Sequence, residues 1–208
     1  MSKGRLFVIS GPSGAGKGTI CRRLIDEIDV DLSVSFTTRA PRPDETDGES
    51  YRFITIEEFE KMIKAGGFLE YAKVYGNYYG TPKHEVLDML RKGRDVILEI
   101  DVQGAAQIRA GCSEGIFIFF LPPSMEELVD RIKKRGTETD EAINLRLNET
   151  MNEISHIGEY DYCVINEEIA ETVESVKAII TAQRYKITDD TDKFFGRYKE
   201  ETDALSIN

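Results

Sequence analysis

The stretch GPSGAGKGT, residues 11–19, directly follows an apolar run at residues 5–10 and opens a helical pattern at residues 16–28. A glycine-rich loop between a strand and a helix turns backbone N–H groups toward phosphate oxygens, and the helix N-terminus adds partial positive charge. Lys17 supplies a cation for the β- and γ-phosphates. The stretch therefore predicts a P-loop type of α/β fold that binds the triphosphate of ATP along the loop: Gly11, Pro12, Ser13, Gly14, Ala15, Gly16, Lys17, Gly18 and Thr19.

This loop departs from the usual pattern at one position. A Ser or Thr normally follows the lysine and holds Mg²⁺, but here Gly18 stands there and Thr19 comes one residue later. Either Thr19 contacts phosphate or metal, or Mg²⁺ is held mainly by ATP and water, which it keeps readily. We expect Mg²⁺ as the cofactor and assign it no firm protein ligand.

The remaining apolar runs extend the same pattern. Residues 95–101, 115–121 and 162–166 read as buried strands, and residues 169–187 as a long helix. Alternating strands and helices predict a parallel sheet with helices on both faces. We expect this core to comprise residues 4–31, 83–123 and 161–187.

Two insertions interrupt the core. Residues 32–82 contain short alternating stretches and one helical pattern near residues 56–65, which predicts a small, mostly antiparallel lobe. Residues 124–160 are charged and helical, with a break at residues 136–137, and predict a helical lid. Such insertions are typical of an enzyme that closes over its substrates.

Composition excludes several classes of protein. The chain has 208 residues and a formal net charge of −11, which argues against wrapping nucleic acid. Its longest apolar run, residues 116–121, is too short to cross a bilayer, and no leader pattern precedes the first strand. We expect a cytoplasmic protein that acts on small molecules, as a monomer or small homo-oligomer, with free thiols at its three cysteines and no catalytic role for either histidine: Cys21, Cys112, Cys163, His84 and His156.

The acidic segment at residues 188–208 follows the core. It carries only scattered apolar residues, so we expect it to be peripheral or partly mobile. Phe194, Phe195 and Tyr198 offer one way for a terminal helix to dock on the core.

The inserted lobe combines arginines with hydroxyl groups. Residues 35–42 read SFTTRAPR, and tyrosines follow at Tyr51 and Tyr79. Two guanidinium groups with tyrosine hydroxyls suit a phosphate dianion, because arginine presents paired donors. Taken alone, the same residues also fit a solvated loop with unrelated charges.

Four stretches together resemble one known family. SFTTRAPRPDETDGESYRF (35–53), FLEYAKVYGNYYGTP (68–82), ILEIDVQGA (97–105) and RGTETDEAINLRL (135–147) are similar in order and spacing to guanylate kinases. The resemblance covers about residues 4–187. It implies transfer of the γ-phosphoryl group of ATP to GMP, which yields GDP and ADP.

The resemblance also implies roles for residues in the lobe. Those matching the family's contacts to the GMP phosphate are Ser35, Arg39, Arg42, Tyr51 and Tyr79, and those matching its contacts to guanine are Glu70, Thr81 and Asp101. A carboxylate suits guanine, since N1–H and the exocyclic amine are adjacent donors. Asp101 remains open between guanine contact, water-mediated metal contact and ordering of the GMP site, and nearby Glu99 complicates the choice.

Arginines of the predicted lid match the family's phosphate contacts. Arg131, Arg135 and Arg146 are the candidates for stabilising the transferring group, a reaction that needs positive charge and alignment more than a general base. Asn166 matches the position that approaches the adenine of ATP. Two alternatives remain: another nucleoside monophosphate kinase, since Lys-Gly-Thr also resembles adenylate and cytidylate kinases, and a non-catalytic phosphopeptide-binding module of the same fold.

Overall fold

A computed structural model describes residues 3–43, 45–74, 76–112, 114–134, 140–187 and 191–205. Strands and helices alternate through most of this part of the chain. In chain order the elements are β1 (Leu6–Ser10), α1 (Lys17–Glu27), β2 (Asp31–Leu32), β3 (Phe36–Thr37), β4 (Arg52–Phe53), α2 (Ile56–Lys64), β5 (Phe68–Val74), β6 (Asn77–Pro82), α3 (Lys83–Arg91), β7 (Val96–Glu99), α4 (Val102–Gly111), β8 (Ile116–Leu121), α5 (Met125–Lys134), α6 (Asp140–Ser155), β9 (Tyr162–Ile165), α7 (Ile169–Arg184) and α8 (Thr191–Leu205).

The core is a five-stranded sheet in the order β2-β7-β1-β8-β9, and all of its strand pairs are parallel. The four predicted apolar runs form β1, β7, β8 and β9. The fifth strand, β2, has only two residues, too few to leave an alternating pattern in the sequence. Because β2 pairs with β7, the predicted lobe boundary at residue 32 falls within the core sheet.

Helices cover both faces of this sheet. Side chains alternate along β1, so Phe7 and Ile9 join one apolar cluster while Leu6 and Val8 join another. The first cluster also holds buried residues of α1 and α7, and the second holds residues of α3 and α4. Every residue of β1 is therefore buried, which explains its continuous apolar run.

The inserted lobe is a second sheet, in the order β4-β3-β6-β5. Its pairs are antiparallel apart from β3 with β4, in agreement with the predicted mostly antiparallel lobe. Helix α2 begins with a capping box between Thr55 and Glu58, and its Phe59 stacks on Phe68 at 4.4 Å and on Tyr78 at 5.2 Å between ring centroids. This aromatic stack gives the small lobe its own apolar centre.

The predicted lid region contains α5 and α6, with residues 135–139 outside the described part of the chain. Beyond the core, α8 occupies most of the acidic extension. Phe195 is 73% exposed and Tyr198 64% exposed, so the docking suggested for these two side chains is wrong. The physical reason is that only charged and polar residues follow between Tyr198 and Ala204, so α8 lacks a continuous apolar stripe. The side chain of Phe194 lies outside the described part.

Candidate active site

A cleft of about 210 Å³ lies between the glycine-rich loop and the lobe, at the carboxyl ends of β1 and β7. This edge of a parallel sheet is the usual place for ligand binding in α/β proteins. The cleft brings together most of the polar residues singled out from the sequence. Its polar lining comprises Gly11, Ser13, Lys17, Ser35, Arg39, Arg42, Tyr51, Glu70, Tyr79, Glu99, Asp101 and Glu153.

The glycine-rich loop has a backbone that side chains would disturb. Gly16 adopts a φ of +88°, and a methyl group there would lie 2.2 Å from Nδ2 of Asn166. Asn166 is buried and donates from Nδ2 to the carbonyl of Ala15 at 2.7 Å. Asn166, the residue predicted to approach adenine, therefore fastens the loop to the end of β9.

Lys17 is folded over the loop that carries it. Its ammonium donates to the backbone carbonyls of Gly11 and, at 3.0 Å, of Pro12. An ammonium group has three N–H donors, so these two contacts use two of them and leave the third N–H for another acceptor. Lys17 also lines the cleft, as its predicted role at the transferring phosphate requires.

Glu70 is a buried carboxylate at the other end of the cleft. Its side chain is held by Thr81, whose hydroxyl donates to Oε1 at 2.6 Å, and the residue is 4% exposed. Burial raises the pKa of Glu70 to about 7, and the negative charge of Asp101 adds to the effect. Such a carboxylate gains from a ligand that presents N–H donors to it. Thr81 is fully buried and does not line the cleft, so its visible contact is with Glu70.

Asp101 follows β7 and caps α4. Its Oδ1 accepts a hydrogen bond from the backbone N–H of Gly104 at 2.8 Å. Burial raises the pKa of Asp101, while the Gly104 hydrogen bond and Lys17 oppose the rise. The carboxylate thus has a capping role as well as a place in the cleft lining.

Gly104 is a residue of this site that the sequence did not single out. A methyl group on Gly104 would lie 2.4 Å from Oε2 of Glu70 and 3.4 Å from Oδ1 of Asp101. The carboxylates of Glu70 and Asp101 therefore both lie close to Gly104, where the absence of a side chain leaves room for them. The quoted motif ILEIDVQGA contains this glycine, but a helical glycine with ordinary φ gives no separate signal in a single sequence.

Substitution of Gly104 with alanine is expected to damage the cleft without destabilising the fold. The new methyl group displaces the Glu70 carboxylate, so kcat/KM for the substrate bound there falls by about tenfold or more. Alanine favours a helix by about 1 kcal/mol relative to glycine, so the free energy of unfolding does not fall. Gly111→Ala in the same helix is the matched control, because a methyl group there meets nothing within 4 Å. Equal kcat/KM in the two variants would contradict the assignment.

One part of the cleft contains the arginines and tyrosines that were predicted to contact a phosphate group. Nε of Arg39 donates to the hydroxyl of Tyr79 at 3.2 Å, and the Tyr51 and Tyr79 rings are 5.8 Å apart between centroids. Burial raises the pKa of Tyr51, which keeps its phenol protonated and able to donate. Ser35 and Arg42 line the same region, so the five predicted contacts to a phosphate group lie together.

The predicted lid arginines are only partly described. Arg131 pairs with Glu127 one turn earlier and donates to the carbonyl of Asn166 at 3.3 Å, close to the glycine-rich loop. Arg135 lies outside the described residues. Arg146 belongs to α6, and its side chain lies outside the described part.

Glu153 on α6 is a cleft residue that the sequence reasoning missed. Burial raises its pKa to about 7, whereas Lys17 and the Ser13 backbone N–H act in the opposite direction. A usable signal did exist, because Glu153 follows Arg146 by seven residues and hence lies two turns further along the same helix face.

The surroundings of Gly18 bear on which side chains could lie near a Mg²⁺ ion. A methyl group on Gly18 would lie 3.2 Å from Oε2 and 3.3 Å from Oε1 of Glu99, so this carboxylate sits beside the loop where Ser or Thr is usual. Thr19 is exposed and lines a neighbouring groove, not the cleft. Among the described residues no cluster of three or more histidine, cysteine or acidic side chains suits a metal ion.

The parallel core, the glycine-rich loop with its lysine and the arginine-lined lobe together define a P-loop phosphotransferase. A family model described as guanylate kinase matches residues 3–183. The guanylate kinase of Clostridium tetani is 55% identical over 187 residues, 90% of each chain. That of Clostridioides difficile is 50% identical over 97% of this chain and 98% of its own. The crystal structure of guanylate kinase from Anaplasma phagocytophilum is similar at 37% identity, with a TM-score of 0.77 over 89% of this chain and 88% of that one.

The chain belongs to the guanylate kinase family. Guanylate kinases catalyse the ATP-dependent phosphorylation of GMP to GDP, so the chain is an enzyme of the nucleoside monophosphate kinase class. The expected fold and activity are confirmed. Within the described residues, no helix is both long enough and apolar enough to cross a membrane.

Proposed function

We propose that the cleft binds GMP with its guanine against Glu70 and its phosphate against the arginines of the lobe. The observation that carries this orientation is the separation of charge within one cleft. Glu70 and Asp101 lie together beside Gly104, whereas the Arg39 guanidinium group contacts Tyr79, which packs against Tyr51, and Arg42 lines the same cleft. GMP has the matching polarity, since its base presents N–H donors and its phosphate is anionic.

Guanine recognition follows from the ionisation of Glu70. Its carboxylate accepts from N1–H and the exocyclic amine, while the Thr81 hydroxyl fixes the carboxylate orientation from behind. Adenine presents an unprotonated N1 at the same place, which would leave a buried carboxylate facing a lone pair. We propose that Asp101 contributes mainly by capping α4 and keeping the wall of this pocket in place.

Phosphoryl transfer needs the two substrates in line. An oxygen of the GMP phosphate forms the new bond to the γ-phosphorus of ATP as the bond to the β,γ-bridging oxygen breaks, and ADP leaves. The attacking oxygen is already anionic, so no general base is required. We propose that Lys17 and the loop N–H groups stabilise the charge on the migrating group, assisted by Arg131, Arg135 and Arg146 of the lid.

Mg²⁺ is the divalent ion we propose for this reaction. The donor set fits it modestly, because Glu99 and Asp101 supply oxygen atoms beside Lys17 and Gly18, and Mg²⁺ usually keeps several waters. Bound to ATP, the ion would neutralise phosphate charge. Glu99 is the better candidate for orienting a metal-bound water, since it lies next to the loop, and Thr19 is the weaker one.

The setting of the reaction is also a proposal. We propose a cytoplasmic enzyme, monomeric or in a small homo-oligomer, that acts on ATP and GMP without nucleic acid or membrane partners. Apart from Leu32, which belongs to the core sheet, residues 32–82 would form the GMP-binding lobe, residues 124–160 the lid and residues 188–208 a peripheral extension. The net charge of −11 supports the absence of a nucleic-acid role.

A substrate panel tests the proposed function. Initial rates of ADP formation are measured with ATP and Mg²⁺ and with GMP, AMP, CMP or UMP as acceptor. We expect kcat/KM for GMP to exceed that for each other nucleotide by at least about a thousandfold, since a mismatched base leaves buried polar groups unpaired. Preference for another base would contradict the guanine assignment, and binding without turnover would favour the non-catalytic module.

A further inference from the structure

Glu45 joins the two arginines that line the phosphate half of the cleft. Its carboxylate accepts from Nη2 of Arg39 at 2.7 Å and 2.9 Å, one distance to each oxygen. The same carboxylate accepts from the backbone N–H of Arg42 at 2.8 Å and lies 3.5 Å from Nη1 of that residue. No other described acidic side chain contacts either arginine at ion-pair distance.

The donors of Arg39 are largely committed to the lobe. Nε donates to Tyr79, Nη1 donates to the carbonyl of Ala40 at 2.7 Å, and Nη2 donates to Glu45. A guanidinium group has five N–H donors in one plane, so contacts at all three nitrogens fix the orientation of that plane. The side chains of Arg39 and Glu45 are only 16% and 10% exposed. Glu45 therefore helps to set the direction in which the remaining N–H groups of Arg39 point.

The location of Glu45 separates two explanations of this contact. A carboxylate that merely substitutes for the GMP phosphate would lie in the cleft, between the arginines and the tyrosines. Arg39 and Arg42 line the cleft, but Glu45 lines the neighbouring groove with Arg42 and Tyr51. Glu45 thus lines the groove that adjoins the cleft and not the cleft itself, so its carboxylate need not leave when a phosphate arrives.

The charge of Glu45 persists at physiological pH. Burial acts to raise its pKa, but hydrogen bonds from Arg39 and Arg42 outweigh burial and hold the pKa below the ordinary value. A charged acceptor forms stronger hydrogen bonds than a neutral one, so the contact is suited to fixing a guanidinium group.

We propose that Glu45 is a positioning residue for GMP: it holds the Arg39 guanidinium group and the Arg42 backbone so that both arginines face the phosphate. The inference rests on the proposed binding of GMP in this cleft. Glu45 touches neither substrate nor reacting atoms and acts through the arginines. The competing explanation, in which Glu45 occupies the seat of the phosphate, has the opposite consequence, because its neutralisation would then tighten GMP binding.

Glu45→Gln tests the proposal, since it keeps the size of the side chain and removes its charge. Binding of GMP and of guanosine is measured by calorimetry, and KM for GMP and ATP by initial rates. We expect the dissociation constant and KM for GMP to rise about tenfold, with guanosine binding and KM for ATP unchanged. Guanosine lacks the phosphate, so the difference isolates the phosphate contact from general damage to the lobe.

Glu49→Gln is the matched control, because Glu49 is an exposed glutamate of the same segment and lines only the neighbouring groove. We expect wild-type values for this variant. Glu45→Asp, which keeps the charge, should lose less GMP affinity than Glu45→Gln and remains informative if the glutamine variant folds poorly.

Unchanged or tighter GMP binding by Glu45→Gln would overturn the proposal, as would an equal loss for GMP and guanosine. Failure of the wild-type protein to bind GMP more tightly than guanosine would instead contradict the proposed function. The wild-type measurement therefore distinguishes the two failures.

Discussion

Substitution of Lys17 with alanine is expected to lower kcat for GMP phosphorylation by about 10²–10³-fold or more, the usual loss when one preorganised donor to transition-state charge is removed. Lys17 lines the cleft and is anchored to the carbonyls of Gly11 and Pro12, so its charge is held where the γ-phosphate would arrive. GMP binding should remain largely intact, because the contacts proposed for GMP come from the lobe. Steady-state rates with both substrates saturating, combined with calorimetry of GMP alone, give the two quantities separately.

Lys64→Ala is the matched control for this experiment. Lys64 is exposed at the end of α2 and is remote from the cleft lining, so its loss should leave kcat unchanged. Turnover by Lys17→Ala at the wild-type rate would remove Lys17 from the mechanism. A parallel loss of GMP affinity would indicate that the substitution disturbs the whole loop.

Glu70→Gln is expected to lower kcat/KM for GMP by about a hundredfold or more and to stabilise the ligand-free protein at pH 8. The catalytic loss arises because the amide accepts less strongly than a carboxylate and presents an N–H to the guanine donors. The stability gain follows because burial raises the pKa of Glu70 to about 7 in the folded protein, above its ordinary value of 4.5. Between pH 4.5 and pH 7 the Glu70 carboxyl group is protonated in the folded protein but ionised in the unfolded chain. The free energy of unfolding of the wild type therefore falls as pH rises from about 4.5 through 7.

Glutamine at position 70 does not ionise, so the Glu70→Gln variant does not lose stability over this pH range. We expect its free energy of unfolding to exceed that of the wild type by about 2 kcal/mol more at pH 8 than at pH 5. Denaturant titrations at both pH values measure the difference. Glu60→Gln, an exposed site on α2, should show no such dependence. A pH-independent difference between Glu70→Gln and the wild type would contradict the raised pKa of Glu70.

The core was predictable because its signals are local. A buried central strand reads as a continuous apolar run, and the glycine-rich loop directly follows it, so β1 could be predicted from the chain alone and Lys17 could be proposed as a phosphate contact. Strand β2 could not be predicted from the sequence, since a strand of two residues is too short to show an alternating pattern. Strands β3 and β4 of the lobe are likewise two residues long, yet the hydroxyls and arginines around them marked the region as polar and as a candidate binding site.

Parts of the site required three-dimensional information. Glu70 belongs to β5 and Asp101 is the N-cap of α4, and only the structure shows that both approach Gly104. Thr81 was predicted to read the guanine, but it is fully buried and donates to Glu70. Glu45 lies within the quoted stretch at residues 35–53, but a glutamate in a charged loop is ordinary until its hydrogen bonds are known. The guanine preference itself came from the family resemblance, not from periodicity or composition.

The central position of β1 has a consequence for synthesis of the chain on the ribosome. Its two sheet partners, β7 and β8, begin at Val96 and Ile116, so roughly a hundred residues must be translated before both sides of β1 can pair. At synthesis rates of about 5–20 residues per second, that interval lasts roughly 5–20 s. During this time the apolar segment LFVIS has neither edge covered, and an uncovered apolar edge is a template for pairing with other chains.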